Sequence, residues 1–265
     1  MSAETGRLRS RCAAFAIGAA LSITNLFSQS QNPLNSLLKV AIQPSSSDAG
    51  GRLEAMITNN SGKSIAAFTL SLRTVSSTGT VKISHLSLDL LSSYAGESRS
   101  PRITSKYQHL GPLQNREQIY RIISSATSQT TASVTGIVFD DNTVAGDRSW
   151  AQSVFDHHAA AAAELADIMR TLSDAPSSGL RDHIKTWTEQ LPQGWKTKAK
   201  PAAQSRGSAS GVAFARSFVI AKLAEVSRDS ISDDDVSSQF NGALSYFSDT
   251  SDDMRRHSIL AEVKQ

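Results

Sequence analysis

Two adjacent histidines, His157 and His158, are the residues best suited to acid–base or metal chemistry, because imidazole titrates near neutral pH and often binds metals. A zinc site needs three or four ligands, and neither an HExxH motif nor a comparable ligand spacing accompanies the pair. Glu164 would share a helix face with His157 but does not complete such a set. We therefore predict no metal ligands and expect both histidines to be solvated near a helix start.

The segment Gly207-Ser208-Ala209-Ser210-Gly211 is similar to two motifs that carry chemistry. A GxSxG nucleophile elbow needs serine in the middle, where this chain has Ala209. A phosphate-binding P-loop would contain Lys followed by Ser or Thr, and these are missing here. Because the residues from Lys196 onward are rich in Lys, Ala, Ser, Pro and Gly, we predict a flexible segment at about 195–211.

Two charged clusters allow weaker interpretations. The oxygen ligands of Asp140, Asp141, Asn142 and Asp147 could suggest calcium, but the distal Glu of an EF-hand is absent, so we predict an ordinary turn. The other cluster is a basic stretch, Lys196–Arg206, beside Trp195. It allows adhesion to an anionic envelope polymer or to lipid headgroups, although such charges on a flexible segment are usually only solvated.

The first thirty residues have the layout of a secretory signal peptide. Arg7, Arg9 and Arg11 precede an apolar run at Cys12–Ile23, and small polar residues follow around Ser30. The run is too short to span a bilayer, which takes about 20 apolar residues. We therefore predict a signal peptide over residues 1–30 and an extracytoplasmic protein, periplasmic or secreted, without a transmembrane segment after cleavage.

Cleavage near Ser30 would change the composition of the working protein. The single cysteine, Cys12, would leave with the signal, which excludes disulfides, thiolate metal sites and a cysteine nucleophile from the mature chain. Loss of three arginines and Glu4 would lower the formal net charge from +3 to about +1. A dedicated nucleic-acid-binding domain is usually strongly basic, so we predict no nucleic-acid partner.

The sequence divides into two halves, and residues 36–148 have the period of half-buried strands. Roughly seven short apolar runs are separated by turn signals without intervening helices. Asn59-Asn60-Ser61-Gly62 predicts a β-hairpin between the second and third strands. In the next strand the apolar residues change phase at His85, which predicts a β-bulge. We call residues 36–148 the β half and predict an antiparallel sandwich.

Residues 149–265, the helical half, change to helical periodicity. A first helix contains Ala159–Ala163, and a second ends before Pro192. A third is predicted over Val212–Arg228, and a fourth follows a Ser232 cap. A further short helix is predicted over Asp252–Val263.

Three phrases of the β half resemble those of secreted bacterial proteins of uncharacterised function with an immunoglobulin-like β-sandwich domain. They are Ile57–Ile65, Leu110-Gly111-Pro112-Leu113 and Val138–Thr143 with Gly146-Asp147. In such proteins the last hairpin often carries Asp-Gly, and Asn142 replaces that glycine here because Asn also enters the left-handed region. The resemblance implies a bacterial extracytoplasmic β-sandwich and brings no activity.

These observations predict an α+β protein in which an antiparallel immunoglobulin-like β-sandwich is followed by an all-helical C-terminal domain. We expect a non-enzymatic binding or scaffold protein of the bacterial cell envelope, with no catalytic, cofactor-binding or metal residues. Its partner would be another envelope protein or an anionic polymer. One alternative is an extracytoplasmic hydrolase with His157, His158 or His183 as base between the halves. The other is adhesion through Lys196–Arg206.

Overall fold

A computed structural model describes residues 32–44, 53–92, 118–122, 129–175, 178–191 and 205–261. Antiparallel sheets occupy the N-terminal half and helices the C-terminal half, so the protein belongs to the α+β class, as predicted. The predicted signal peptide lies outside the described residues.

The strands of the described residues form two antiparallel sheets. In chain order they are β1 (Leu38–Pro44), β2 (Leu53–Asn59), β3 (Ile65–Val75), β4 (Val81–Asp89), β5 (Gln118–Ile122), β6 (Gln129–Phe139) and β7 (Val144–Gly146). One sheet has the order β1-β2-β5 and the other the order β4-β3-β6-β7. A single-turn helix, α1 (Leu34–Leu37), precedes β1.

Alternate apolar residues of the two sheets meet in one core. Phe68, Leu70 and Leu72 of β3 are buried in the same cluster as Ala55 and Ile57 of β2. Their period of two places the apolar side chains of each strand on one face, as the sequence predicts. Burial of these side chains against the opposite sheet is what holds the two sheets together.

The turn after β2 does not close a hairpin, so that prediction is wrong. Gly62 takes a φ of 74°, and the Asn59 side chain accepts from the Ser61 amide and donates to the Lys63 carbonyl, so the tight turn itself is present. It connects β2 of one sheet to β3 of the other. The local turn chemistry was correctly recognised, but burial of both strands in the shared core decides their pairing.

The predicted bulge at His85 is also absent. β3 and β4 pair in one continuous register from Ala67 opposite Asp89 to Val75 opposite Val81. The change of phase therefore places Val81 and Ile83 on the solvent side, where they are 47% and 63% exposed. β4 is an edge strand of its sheet, and single exposed apolar side chains are common on protein surfaces.

Four longer helices follow the strands. They are α2 (Arg148–Ser173), α3 (Leu180–Gln190), α4 (Arg206–Val226) and α5 (Asp233–Arg256). The Ser232 hydroxyl accepts from the Asp235 amide and caps α5, as predicted, and α3 ends before Pro192. Residues 252–256 continue α5, so the separate short helix predicted from Asp252 is wrong there. The helices share a core around Leu165, Val219 and Phe247.

The glycine-serine segment begins α4, so the predicted flexible segment is wrong for residues 206–211; residues 195–204 of that prediction are outside the described ones. Gly207 and Gly211 are buried one turn apart against α2. A Cβ at Gly207 would lie 2.3 Å from the Ser153 carbonyl oxygen, and one at Gly211 would lie 2.1 Å from that of His157. The two glycines therefore allow the helix backbones to touch. The glycine and serine content of this segment is also typical of a linker, which is why the prediction failed here.

We predict that Gly211→Ala destabilises the protein, because the added methyl group would overlap backbone atoms of α2. The expected loss in the free energy of unfolding is about 1–3 kcal/mol in urea titrations. Gly242→Ala is the matched control, since a Cβ there meets nothing within 4 Å on α5. It should stabilise by about 0.5–1 kcal/mol, because alanine favours helix over glycine. Equal effects of the two changes would contradict the tight contact of α2 with α4.

Candidate functional site at the junction of sheets and helices

The Asp89 carboxylate, at the end of β4, is the centre of a polar cluster between the two halves. Its Oδ1 atom accepts from the amides of Leu91 at 3.1 Å and Ser92 at 3.3 Å, which turns the chain sharply after the strand. Its Oδ2 atom accepts from the Ser92 hydroxyl at 2.7 Å and from Nε2 of His158 at 2.9 Å. We call Asp89, Ser92, His157, His158 and Ser210 the Asp89 junction.

His158 crosses the junction from α2 and is fully buried, so its predicted solvated position is wrong. Its Nδ1 atom lies 2.8 Å from the carbonyl oxygen of His257, which follows α5, and its Nε2 atom faces Asp89. Both partners are acceptors, so both ring nitrogens carry hydrogen and the ring is an imidazolium. A buried cation of this kind requires its paired anion.

Asp89 remains ionised at neutral pH. Burial by itself would raise the pKa of Asp89. The charge and hydrogen bond of His158, the Ser92 hydroxyl and the weaker attraction of His157 together outweigh burial and lower the pKa to about 2. The junction therefore contains a fixed negative charge whose lone pairs are used by four hydrogen bonds.

His157 extends the cluster toward solvent. Its Nε2 atom lies 2.9 Å from the Ser92 hydroxyl oxygen, and its Nδ1 atom lies 3.1 Å from that of Ser210. Burial lowers the pKa of His157 below its ordinary value of 6.5, Asp89 opposes that shift, and His158 adds to it. The ring is therefore neutral at pH 7, and only 13% of its side chain is exposed.

Asp89, Ser92, His157 and Ser210 form a row of hydrogen-bonded side chains, and the ionised carboxylate fixes the direction of each bond along it. Since Asp89 can only accept, Ser92 donates to it and must accept from Nε2–H of His157. A neutral imidazole with hydrogen on Nε2 has a free lone pair on Nδ1, which accepts from the Ser210 hydroxyl. The row thus begins at Ser210, which is exposed on α4, and ends at the carboxylate.

The contact of α2 with α4 places Ser210 in this row. Gly211 lies against the His157 carbonyl, which brings the hydroxyl of the preceding residue to Nδ1 of the imidazole ring. The Phe214 ring lies 5.6 Å from the His157 ring, between centroids, and covers its apolar side. The position of Ser210 therefore depends on the same close helix contact that needs glycine.

A second contact fastens the end of α5 to the turn between β6 and β7. Nδ1 of His257 donates to the Asp253 carbonyl at 2.8 Å, and Nε2 lies 2.9 Å from Oδ1 of Asp140. Asn142 has a φ of 63°, which confirms that it occupies the left-handed position, and its amide donates to the Arg256 carbonyl at 2.7 Å. Asparagine therefore supplies a bond between the halves that glycine could not.

The remaining acidic residues near this turn have separate structural partners, which agrees with the turn predicted from the sequence. Burial raises the pKa of Asp141, but the Lys63 ammonium, whose Nζ donates to Asp141 at 2.6 Å, and the hydrogen bonds from Thr143 together lower it. Asp147 accepts from the Trp150 amide and caps α2. Within the described ranges no group of three or more His, Cys, Asp or Glu side chains is arranged to hold a metal ion.

Of the three histidines considered as a base, one holds an acceptor nitrogen against a hydroxyl group. His158 donates from both nitrogens. His183 is exposed on α3, where its ring approaches Trp187 at 6.0 Å, and no hydroxyl or carboxylate partner is described for it. His157 alone combines a lone pair on Nδ1 with a hydroxyl in hydrogen-bond reach. The basic stretch lies outside the described residues except for Arg206, which is exposed at the start of α4.

Sequence reasoning did not identify Asp89 or Ser92 as members of the junction, and it assigned Ser210 to a linker. It also did not identify the contact of Asp140 with His257. The spacing Asp89-Leu90-Leu91-Ser92 is a local capping signal that could have predicted the turn. The partner of Asp89 is 69 residues away along the chain, and no local pattern indicates it.

Comparison with protein-family models, curated proteins and solved structures gives no match for this chain. None of the helices in the described ranges has the length and apolar character needed to span a bilayer.

We predict that stability falls as pH decreases from about 4 to about 2, because Asp89 binds a proton in that interval more readily when unfolded. Its pKa is depressed in the folded protein, so its contribution is complete above pH 4 and is lost as pH falls toward 2. The size is about 2 kcal/mol, measured as the free energy of unfolding in urea across this range.

Asp89→Asn should lower stability at pH 7 by about 3 kcal/mol, since it leaves the buried imidazolium without its anion. It should also remove most of the pH dependence between pH 4 and 2. Asp252→Asn is the control, because that carboxylate is 60% exposed in a helix-surface ion pair. An acid transition of the same size in both variants would show that Asp89 is not its source.

Proposed function

We propose that the protein is an exported binding or scaffold protein of the bacterial cell envelope, in which the helical half is held in a fixed orientation on the β half. One observation carries the scaffold role: the buried His158 imidazolium donates to Asp89 of the β half and to the His257 carbonyl of the helical half. Separation of the halves would break the hydrogen-bonded ion pair of His158 with Asp89, so a fixed orientation is favoured.

An apolar contact next to the Asp89 junction supports the same proposal. Ala66, Ala67 and Val138 on the outer face of the larger sheet are buried against Val154 and Phe155 of α2. Gly136 completes the fit, because a Cβ there would lie 2.8 Å from the Trp150 ring. This face of the β half is therefore committed to the helices.

We further propose that the β half is an immunoglobulin-like sandwich. The first, second and fifth strands form one sheet, and the third, fourth, sixth and seventh form the other. This division matches strands A, B and E against C, C′, F and G of that architecture. Such sandwiches commonly present binding loops on a rigid framework, which fits a partner that is another envelope protein or an anionic polymer.

Export should depend on the arginines of the first thirty residues. In a bacterial host the wild-type chain should be recovered outside the cytoplasm with an N-terminus near residue 31 and no thiol, since Cys12 leaves with the signal. Replacement of Arg7, Arg9 and Arg11 by Glu should leave an uncleaved cytoplasmic chain with one reactive thiol, as measured by cell fractionation, intact mass and maleimide labelling.

The matched control replaces Lys196, Lys198 and Lys200 by Glu, which makes the same charge change outside the signal. That variant should still be exported and cleaved. Recovery of the wild-type chain in the cytoplasm with Cys12 present would contradict the proposed location.

The two halves should unfold as one unit. Leu70→Ala creates a cavity in the core between the sheets and should lower the free energy of unfolding by about 3 kcal/mol. Hydrogen exchange of the most protected amides should report that same decrease in β3 and in α4, because opening either half exposes the junction. Unchanged protection in α4 would show that the halves are independent, and the scaffold proposal would then be wrong.

A further inference from the structure

We infer that Ser210 is a nucleophile for acyl transfer from carboxylic esters, with His157 as its base. This inference goes beyond the scaffold role and does not depend on it. It rests on the row Ser210–His157–Ser92–Asp89, in which oxygen and nitrogen atoms lie 3.1, 2.9 and 2.7 Å apart in turn. A serine within reach of a base that a third group orients is the common arrangement for nucleophilic catalysis by serine.

The protonation states suit this reaction. The Ser210 hydroxyl donates to the lone pair on Nδ1 of His157, so the proton that must leave the nucleophile already points at its acceptor. Ser92 holds the opposite nitrogen and is itself held by the ionised Asp89. Ser92 and Asp89 are thus positioning residues, and the ring cannot rotate without breaking bonds inside the junction.

In the proposed step one proton moves from Ser210 to His157 and then to the leaving group. The Ser210 oxygen adds to the ester carbonyl carbon while its proton passes to Nδ1 of His157. The bond to the leaving alkoxide then breaks, and that oxygen takes the proton back from the imidazolium to leave as an alcohol. The imidazolium formed between these events lies 3.8 Å from Oδ2 of Asp89, whose charge stabilises it. Water can release the acyl group by the same two proton transfers.

Exposure limits which substrates can react. Ser210 is on the surface, whereas Ser92 lies deeper and already donates to Asp89, so an incoming ester meets Ser210 first. The Phe214 ring beside His157 offers an apolar surface at this position. Small uncharged esters, such as aryl acetates, are the class that this site would accept.

The test uses the full mature chain and two probes, p-nitrophenyl acetate and an alkyl fluorophosphonate. Intact mass should show one adduct, and peptide mapping should place it on Ser210. Ser210→Ala should lose the adduct, and His157→Gln should slow its formation about 100-fold, the lower range for loss of a general base. Ser217→Ala, which removes an exposed serine elsewhere on α4, should react as the wild type does.

The pH profile separates chemistry from structure. The labelling rate should rise with pH as His157 loses its proton, with a midpoint below pH 6.5, since burial lowers the pKa of that ring from its ordinary value. Far-UV circular dichroism and urea midpoints identify any variant that misfolds. An absence of adduct on Ser210 in the folded wild type would overturn the inference, as would equal labelling rates in wild-type and folded His157→Gln protein.

Discussion

The ionised carboxylate of Asp89 is the interaction on which the arrangement of the two halves depends. It ends β4, turns the following residues by accepting two backbone amides, and neutralises the buried His158 imidazolium. These roles are linked, because an acceptor without charge would not balance a cation removed from water. Since the pKa of Asp89 is lowered to about 2, the anion is present over the whole neutral range. Both oxygens of its buried carboxylate accept hydrogen bonds.

The second constraint is the close crossing of α2 and α4. Each side chain of the junction that comes from the helical half is placed by one of these two helices. Gly207 and Gly211 allow contact with the backbone of α2, so the depth of Ser210 relative to His157 is set by backbone atoms and not by flexible side chains. The two constraints act together, because Asp89 orients the histidines and the glycines bring the serine to them.

The features that the sequence predicted correctly are local. The alternation of Phe68, Leu70 and Leu72 and the cap at Ser232 depend only on neighbouring residues, and the structure has both. The failures concern distant partners. Asn59–Gly62 has the chemistry of a tight turn in either topology, and only burial in the shared core decides that it joins two sheets. Likewise the composition of residues 206–211 suits a linker as well as a helix that touches another backbone, and the choice depends on α2.

The Asp89 junction has a structural role at its buried end, at His158, and a chemical role at its exposed end, at Ser210. At the buried end, the bonds of His158 replace hydration that the ring has lost, so they determine stability. At the outer end, the Ser210 hydroxyl is exposed, and water would replace its bond to His157 with a net difference of about 0.5–1.5 kcal/mol at most. A fixed orientation of the halves therefore does not require Ser210. The hydroxyl and the neutral ring can act chemically while Asp89 and His158 preserve the fold, because the proton moves between Ser210 and His157 and the bonds of His158 stay intact.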